Sequence, residues 1–158
     1  MCAVGARRFV CLTNIPTPYR VFQFRLVHAE LERRGWAFEV WFMAKSEPRR
    51  NWTFDASEFD FPHRFLRGFR FEIVSDSFHI NPEVLTCLRH VRPEILLVAG
   101  GWALPTVWLA SLALVPRKIF WSESHLCLDE EERICRSTGT QVFSATQVGS
   151  SVARACIV

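Results

Sequence analysis

Residues 8–20, Arg-Phe-Val-Cys-Leu-Thr-Asn-Ile-Pro-Thr-Pro-Tyr-Arg, decide the fold: an apolar run stops at a proline-stiffened turn and a helical pattern begins at once. Phe9, Val10, Cys11 and Leu12 suit a strand buried on both faces. Pro16 and Pro18 fix φ and remove backbone donors, so neither strand nor helix runs through them. From Tyr19 to Arg34 the apolar Val21, Phe22, Leu26, Val27 and Leu31 recur at helical spacing, and Gly35 supplies the stop. In an open α/β sheet the loop after the first strand lies at the carboxyl edge, where ligands bind. Residues 13–19 are therefore a candidate site wall, with a simple tight turn as the alternative. No glycine lies between Gly5 and Gly35, which excludes the backbone cradle that a dinucleotide's pyrophosphate needs.

The same alternation continues outward. Residues 37–43 (AFEVWFM) read as a second buried strand, residues 44–70 as loop with Pro48 and Pro62, and residues 71–74 as a short strand. Asn81 is expected to cap a helix with Pro82 at its first position, Val84, Leu85, Leu88 and Val91 on one face, and Arg92-Pro93 at its end. Strands are expected at 95–99 and 118–121, with a helix from about Leu104 to Leu114 between them. Residues 142–145 suggest a further strand and 150–157 a helix. Alternating strands and helices imply a mostly parallel sheet with helices on both faces. Three loops, 13–19, 100–104 and 122–125, would then meet at one edge.

Composition bounds the function. A chain of 158 residues with 49% hydrophobic content, 14 Phe and 6 Trp is globular and long enough for one well-filled core. Cysteines at 2, 11, 87, 127, 135 and 156 have no Cys-x-x-Cys spacing, which gives no zinc signature and suits a reducing compartment. No apolar segment of signal-peptide type precedes Thr13, so a cytoplasmic location is expected. Residues 95–115 carry no charge and are long enough to span a bilayer, but Gly100, Gly101 and Pro105 divide them into strand, turn and helix. The net charge of +3 is too modest, and reader motifs too absent, for nucleic-acid binding. Arg64, Arg67 and Arg70 recur between aromatics, as a phosphate or lipid-headgroup stripe or as a solvated edge.

Five motifs in order carry a resemblance: TNIPTPYR at 13–20, RRNW at 49–52, FHINPEVL at 78–85, RPEILLVAGGWALPT at 92–106 and FWSES at 120–124. Together they resemble the N-terminal, acceptor-side domain of a bacterial retaining glycosyltransferase of GT-B architecture (family 4-like). The resemblance implies a Rossmann-like domain over residues 1–125 and a divergent tail of the same domain over 126–158. It also implies transfer of a sugar from a nucleotide-sugar to a saccharide or lipid-linked acceptor with retention. No metal or resident cofactor is implied, the nucleotide-sugar being a co-substrate held by the other half of the fold. The family's donor-side glutamate spacing recurs as Glu39/Glu47 and Glu123/Glu131, in the acceptor half. The tail, acidic from Asp129 to Glu132 and ending Ala-Cys-Ile-Val, suggests a chain cut short before the donor domain. Such a chain is expected to be inactive alone, to need a separate donor-domain chain, to self-associate and to touch the inner membrane peripherally. A non-catalytic binding module, or a gene remnant, with the same fold is the rival reading.

Candidate site residues follow. Glu123 could orient an acceptor hydroxyl or support oxocarbenium charge, or cap a helix; His125 could bind a sugar hydroxyl or accept a proton, or be an ordinary surface histidine. Thr17, Tyr19, Arg20 and Ser124 are placed at the acceptor, with Arg50 as a phosphate ligand; local capping and surface charge are the alternatives for Tyr19, Arg20 and Arg50. Gly100 and Gly101 would let backbone approach a ligand, or merely permit a turn. Trp52 and Trp102 offer flat faces to a sugar ring or fill core.

Overall fold

Strands form where β-branched and aromatic residues are enriched, and helices where proline stands at or just before the first turn. The computed structural model describes residues 7–47, 59–73, 76–101, 104–122, 141–144 and 154–157. In chain order the elements are β1 (Arg7–Thr13), α1 (Pro18–Arg33), β2 (Trp36–Phe42), β3 (His63–Phe65), β4 (Phe69–Ile73), β5 (Asp76–Ile80), α2 (Glu83–Val91), β6 (Ile95–Ala99), α3 (Pro105–Leu112), β7 (Arg117–Ser122), β8 (Gln141–Ser144) and β9 (Arg154–Ile157).

The main sheet has the order β3-β2-β1-β6-β7-β9-β8. Its first five strands are mutually parallel, and β9 pairs antiparallel with both β7 and β8. Counted along the chain, the parallel strands lie in the order 3-2-1-4-5 of a doubly wound sheet, a Rossmann-like α/β fold. Side chains alternate between its faces. Val10 and Leu12 of β1, Trp41 of β2, Leu96 and Val98 of β6 and Phe120 of β7 pack with Val84 and Leu88 of α2 and Val107 and Ala110 of α3. Cys11, Phe38, Val40, Phe42 and Ala99 face the other way, onto Val21 and Phe24 of α1 and onto Phe61. Trp41, Phe42 and Leu12 are wholly buried, each adding about 1.5–3 kcal/mol of hydrophobic stabilisation.

The charge-free stretch 95–115 divides, as its glycines and prolines require, into β6 and α3; among the described residues no helix is long and apolar enough to cross a membrane. Other expectations are corrected. Of the helix expected over 150–157, residues 154–157 are a strand instead and the rest lie outside the described residues: β9 runs from Arg154 to Ile157 because the open edge of β7 supplies backbone partners from Ile119 to Ser122. The loop expected over 44–70 contains β3, and the short strand near 71–74 is β4, paired antiparallel with the unforeseen β5. In α1, Phe22 and Leu26 are more than half exposed, while Val21, as expected, and Phe24 reach the core, Phe24 meeting Phe38, Phe42 and Phe61 at 6.0–6.4 Å between ring centres. Apolar residues stand on both sides of this helix, so spacing alone could not choose the face that the aromatic sheet selects.

Candidate functional site at the carboxyl edge

The parallel strands all end at one edge, and the strand order reverses between β1 and β6, so the loops leaving these strands part there. Thr13 donates its hydroxyl to the Ala99 carbonyl at 3.0 Å, bridging the two strand ends. Arg20, in the first turn of α1, folds back over them. Its Nη1 donates to the Ala99 carbonyl at 2.7 Å and to the Thr13 hydroxyl, its Nε to the Tyr19 hydroxyl at 3.2 Å, and its guanidinium stands 6.0 Å from the Trp121 ring. Arg20, expected at the acceptor, thus clamps the switch point, and Tyr19, half exposed, stands beside it at the rim.

At this edge lie polar atoms whose bonding capacity is not used. Thr17 occupies the N-cap position of α1 with extended backbone (φ −130°, ψ 148°), and its carbonyl accepts the Val21 N–H at 2.9 Å. Its hydroxyl, however, caps nothing and has no hydrogen-bond partner, although the residue is only 2% exposed. Asn14 Oδ1 is likewise buried without a partner. The Asn14 carbonyl accepts N–H groups from Met43 and Ala44 at 2.9 and 3.0 Å, which ties the end of β2 to the β1 loop. A Cβ on Gly100 would stand 2.6 Å from Asn14 Oδ1, so only glycine fits there. A buried oxygen with no partner costs about 1–3 kcal/mol, which a ligand donor would recover. Gly101, by contrast, is exposed with open space around it.

Where β2 and β3 end, a cavity of about 470 Å³ is lined by Lys45, Arg67, Arg70 and His79 together with Met43 and Gly68. Asn81 forms its base. This residue does not cap α2, which begins at Glu83 without any side-chain cap bond. Its Nδ2 instead donates to the Met43 and Leu66 carbonyls at 3.0 and 3.1 Å, pinning the ends of β2 and β3 together. Thr106 of α3 completes the network: its hydroxyl accepts the Asn81 backbone N–H at 2.9 Å and donates to the His79 carbonyl at 2.8 Å. His79 is 2% exposed, its Nε2 lacks a hydrogen-bond partner, and Glu47 Oε1 stands 3.6 Å away. Burial drives the imidazole's pKa below its ordinary value, with Glu47 opposing and Arg70 reinforcing the shift.

The arginine stripe of the sequence divides in space. Arg64 bonds Glu39 at 2.6 Å and lies 5.1 Å from the centre of the Trp41 ring, a structural role, whereas Arg67 and Arg70 line the cavity. The glutamate spacing Glu39/Glu47 thereby resolves into two unrelated ion pairs, with Arg64 and His79. Of the expected site residues, Thr17, Tyr19, Arg20, Gly100 and Gly101 gather at the carboxyl edge; Arg50, Trp52, Trp102, Glu123, Ser124 and His125 lie outside the described residues. Asn14, Lys45 and His79 were missed. Asn14 stands inside the stretch that decided the fold, but nothing local marks its side-chain oxygen as unpaired. Among the described residues no cluster of His, Cys, Asp and Glu could hold a metal ion. No family model, no curated protein and no solved structure matches this chain.

Proposed function

We propose that this chain is the acceptor-binding side of a retaining glycosyltransferase, taking a saccharide or lipid-linked saccharide in the crevice between β1 and β6. One observation carries the reading: Thr17 Oγ1 and Asn14 Oδ1 are buried and unpartnered at the point where a doubly wound sheet binds ligands. A sugar hydroxyl donates and accepts at once, which suits an amide oxygen that only accepts beside a threonine hydroxyl that does both. Gly100 keeps the opposite wall close, Arg20 holds both strand ends in register, and the Tyr19 ring at the rim offers an apolar face for a pyranose to pack on. In this reading Glu123 and His125 orient the attacking hydroxyl, and the nucleotide-sugar is presented from the facing domain.

The test is a ¹H–¹⁵N titration of the full chain with a panel of neutral mono- and disaccharides. A saccharide that binds should move the amide signals of Asn14, Thr17 and Gly100, and Thr17→Val, which keeps shape and removes the hydroxyl, should weaken it about tenfold, the worth of one buried hydrogen bond. Saccharides that leave those signals unmoved at millimolar concentration, or that bind Thr17→Val equally well, refute the reading.

A further inference from the structure

We propose that the amino-terminal edge of the sheet, at the ends of α2 and α3, docks this chain on an anionic lipid bilayer, with Leu112 and Leu114 entering the surface and Arg89 and Arg92 meeting the headgroups. A hollow of about 780 Å³ lies between these helix ends, lined by Leu85, Leu112 and Leu114 together with Arg89, Arg92 and Glu94. Leu112 is 76% exposed and Leu114 wholly so, and Trp108, one turn before Leu112 on the same side of α3, is 65% exposed. Single exposed apolar residues are ordinary in a folded chain, but large ones grouped beside cations mark an interaction surface.

Local structure builds both halves of this surface. Ala113 and Val115 pack against the core, so in the extended backbone after α3 the residue between them, Leu114, is turned outward. Residues 112–116 carry no charge, and Arg117 opens β7 directly after them. In α2, Val84 and Leu88 take the core side and Arg89 stands exposed; Arg92 ends the helix at φ 48°, a left-handed position where backbone preference favours glycine. The one carboxylate among the described lining residues, Glu94, is taken by Arg7, whose Nε and Nη2 donate to it at 2.9 and 2.6 Å. Among the described residues no ion pair holds Arg89 or Arg92, and Arg8, which donates to the Val91 carbonyl, adds a further cation beside them. The surface is therefore cationic and complementary to anionic headgroups. A peptide laid in the hollow would leave the outward tip of Leu114 in water, whereas a bilayer buries a protruding apolar tip from every side, which selects lipid over a protein partner. The crevice between β1 and β6 lies at the other end of the strands, so docking here leaves it open to water.

Docking at this edge does not depend on the crevice taking a sugar, and the experiment separates the two. Vesicle flotation of the full chain compares phosphatidylcholine vesicles with and without phosphatidylglycerol. The chain should partition onto the phosphatidylglycerol vesicles and leave them as salt is raised. Arg89→Gln/Arg92→Gln should weaken partitioning about 30-fold, the combined effect of two cations at an anionic surface. Lys45→Gln/Arg67→Gln removes the same charge at the opposite edge and should match the parent. Leu112→Ser/Leu114→Ser should weaken partitioning about tenfold or more, with an unchanged thermal melt because both side chains are exposed. Thr17→Val should partition like the parent, whatever it does to saccharides. Equal partitioning of the two charge-removing double variants, equal partitioning onto both kinds of vesicle, or partitioning onto neither overturns the proposal. A concentration-dependent dimer in light scattering that Leu112→Ser/Leu114→Ser abolishes, without vesicle binding, would assign the surface to a second copy of this chain and overturn it as well.

Discussion

Gly68→Ala is the sharpest single perturbation of this edge. A Cβ at residue 68 would overlap the Ile80 carbonyl and come within 2.5 Å of Asn81 Nδ2 and 2.8 Å of Asn81 Cα, so the backbone of the β5–α2 junction has to move. Moving Asn81 breaks its bonds to the Met43 and Leu66 carbonyls, each worth about 1 kcal/mol, and disturbs its backbone bond to Thr106. The expected loss is about 3 kcal/mol, which lowers Tm by about 9 °C in a domain of this size. Gly101→Ala is the matched control: nothing lies within 4 Å of its Cβ, so the same chemical change should stay within about 0.5 kcal/mol of the parent. Urea unfolding followed by far-UV circular dichroism, with Cm compared at constant slope, measures both. A Gly68→Ala variant as stable as Gly101→Ala would refute the account of the β3–β4 turn and of Asn81 as its pin.

Two further outcomes follow from titrating groups. His79 has a folded-state pKa below its unfolded value, so the unfolded chain binds the extra proton first; stability should fall as pH drops from about 6.5 toward the folded value, and His79→Gln should flatten that slope. Equal pH dependence of the two proteins between pH 7 and 5 would count against it; Glu30 and Glu94, whose pKa values are lowered by their arginine partners, contribute only at lower pH. Cys11 is fully buried in β1, and burial pushes its thiol up to about 12 against the pull of Arg20, so iodoacetamide at pH 8 should leave it unmodified in the native chain and alkylate it in urea. Peptide mapping by mass spectrometry reads this directly, and native alkylation at the rate of an open thiol would disprove it.

The sequence by itself determined the scaffold. Predominantly apolar runs at β1, β2, β6 and β7, punctuated by Pro16, Pro18, Gly35, Pro93, Gly100 and Pro105, carry local information enough for strand, helix and turn, and their alternation implies a parallel sheet whose carboxyl edge holds Thr17, Arg20 and Gly100. The tertiary structure decided whatever depended on partners distant in the chain. Asn81 looks like a helix cap from its neighbours but spends its amide on Met43 and Leu66, because the ends of β2 and β3 arrive beside it. Arg64 and Arg67 look alike in sequence, yet one meets Glu39 and Trp41 and the other a cavity. Phe22 and Phe24 compete for one core, and only the aromatic face of β2 selects between them. Residues 154–157 become a strand because β7 leaves an edge open. At Asn81, the arginines and Phe22/Phe24 local pattern fixes backbone conformation and the fate of the side chain is a long-range contact that exists only once the sheet has closed; at 154–157 the backbone conformation itself waits for that edge.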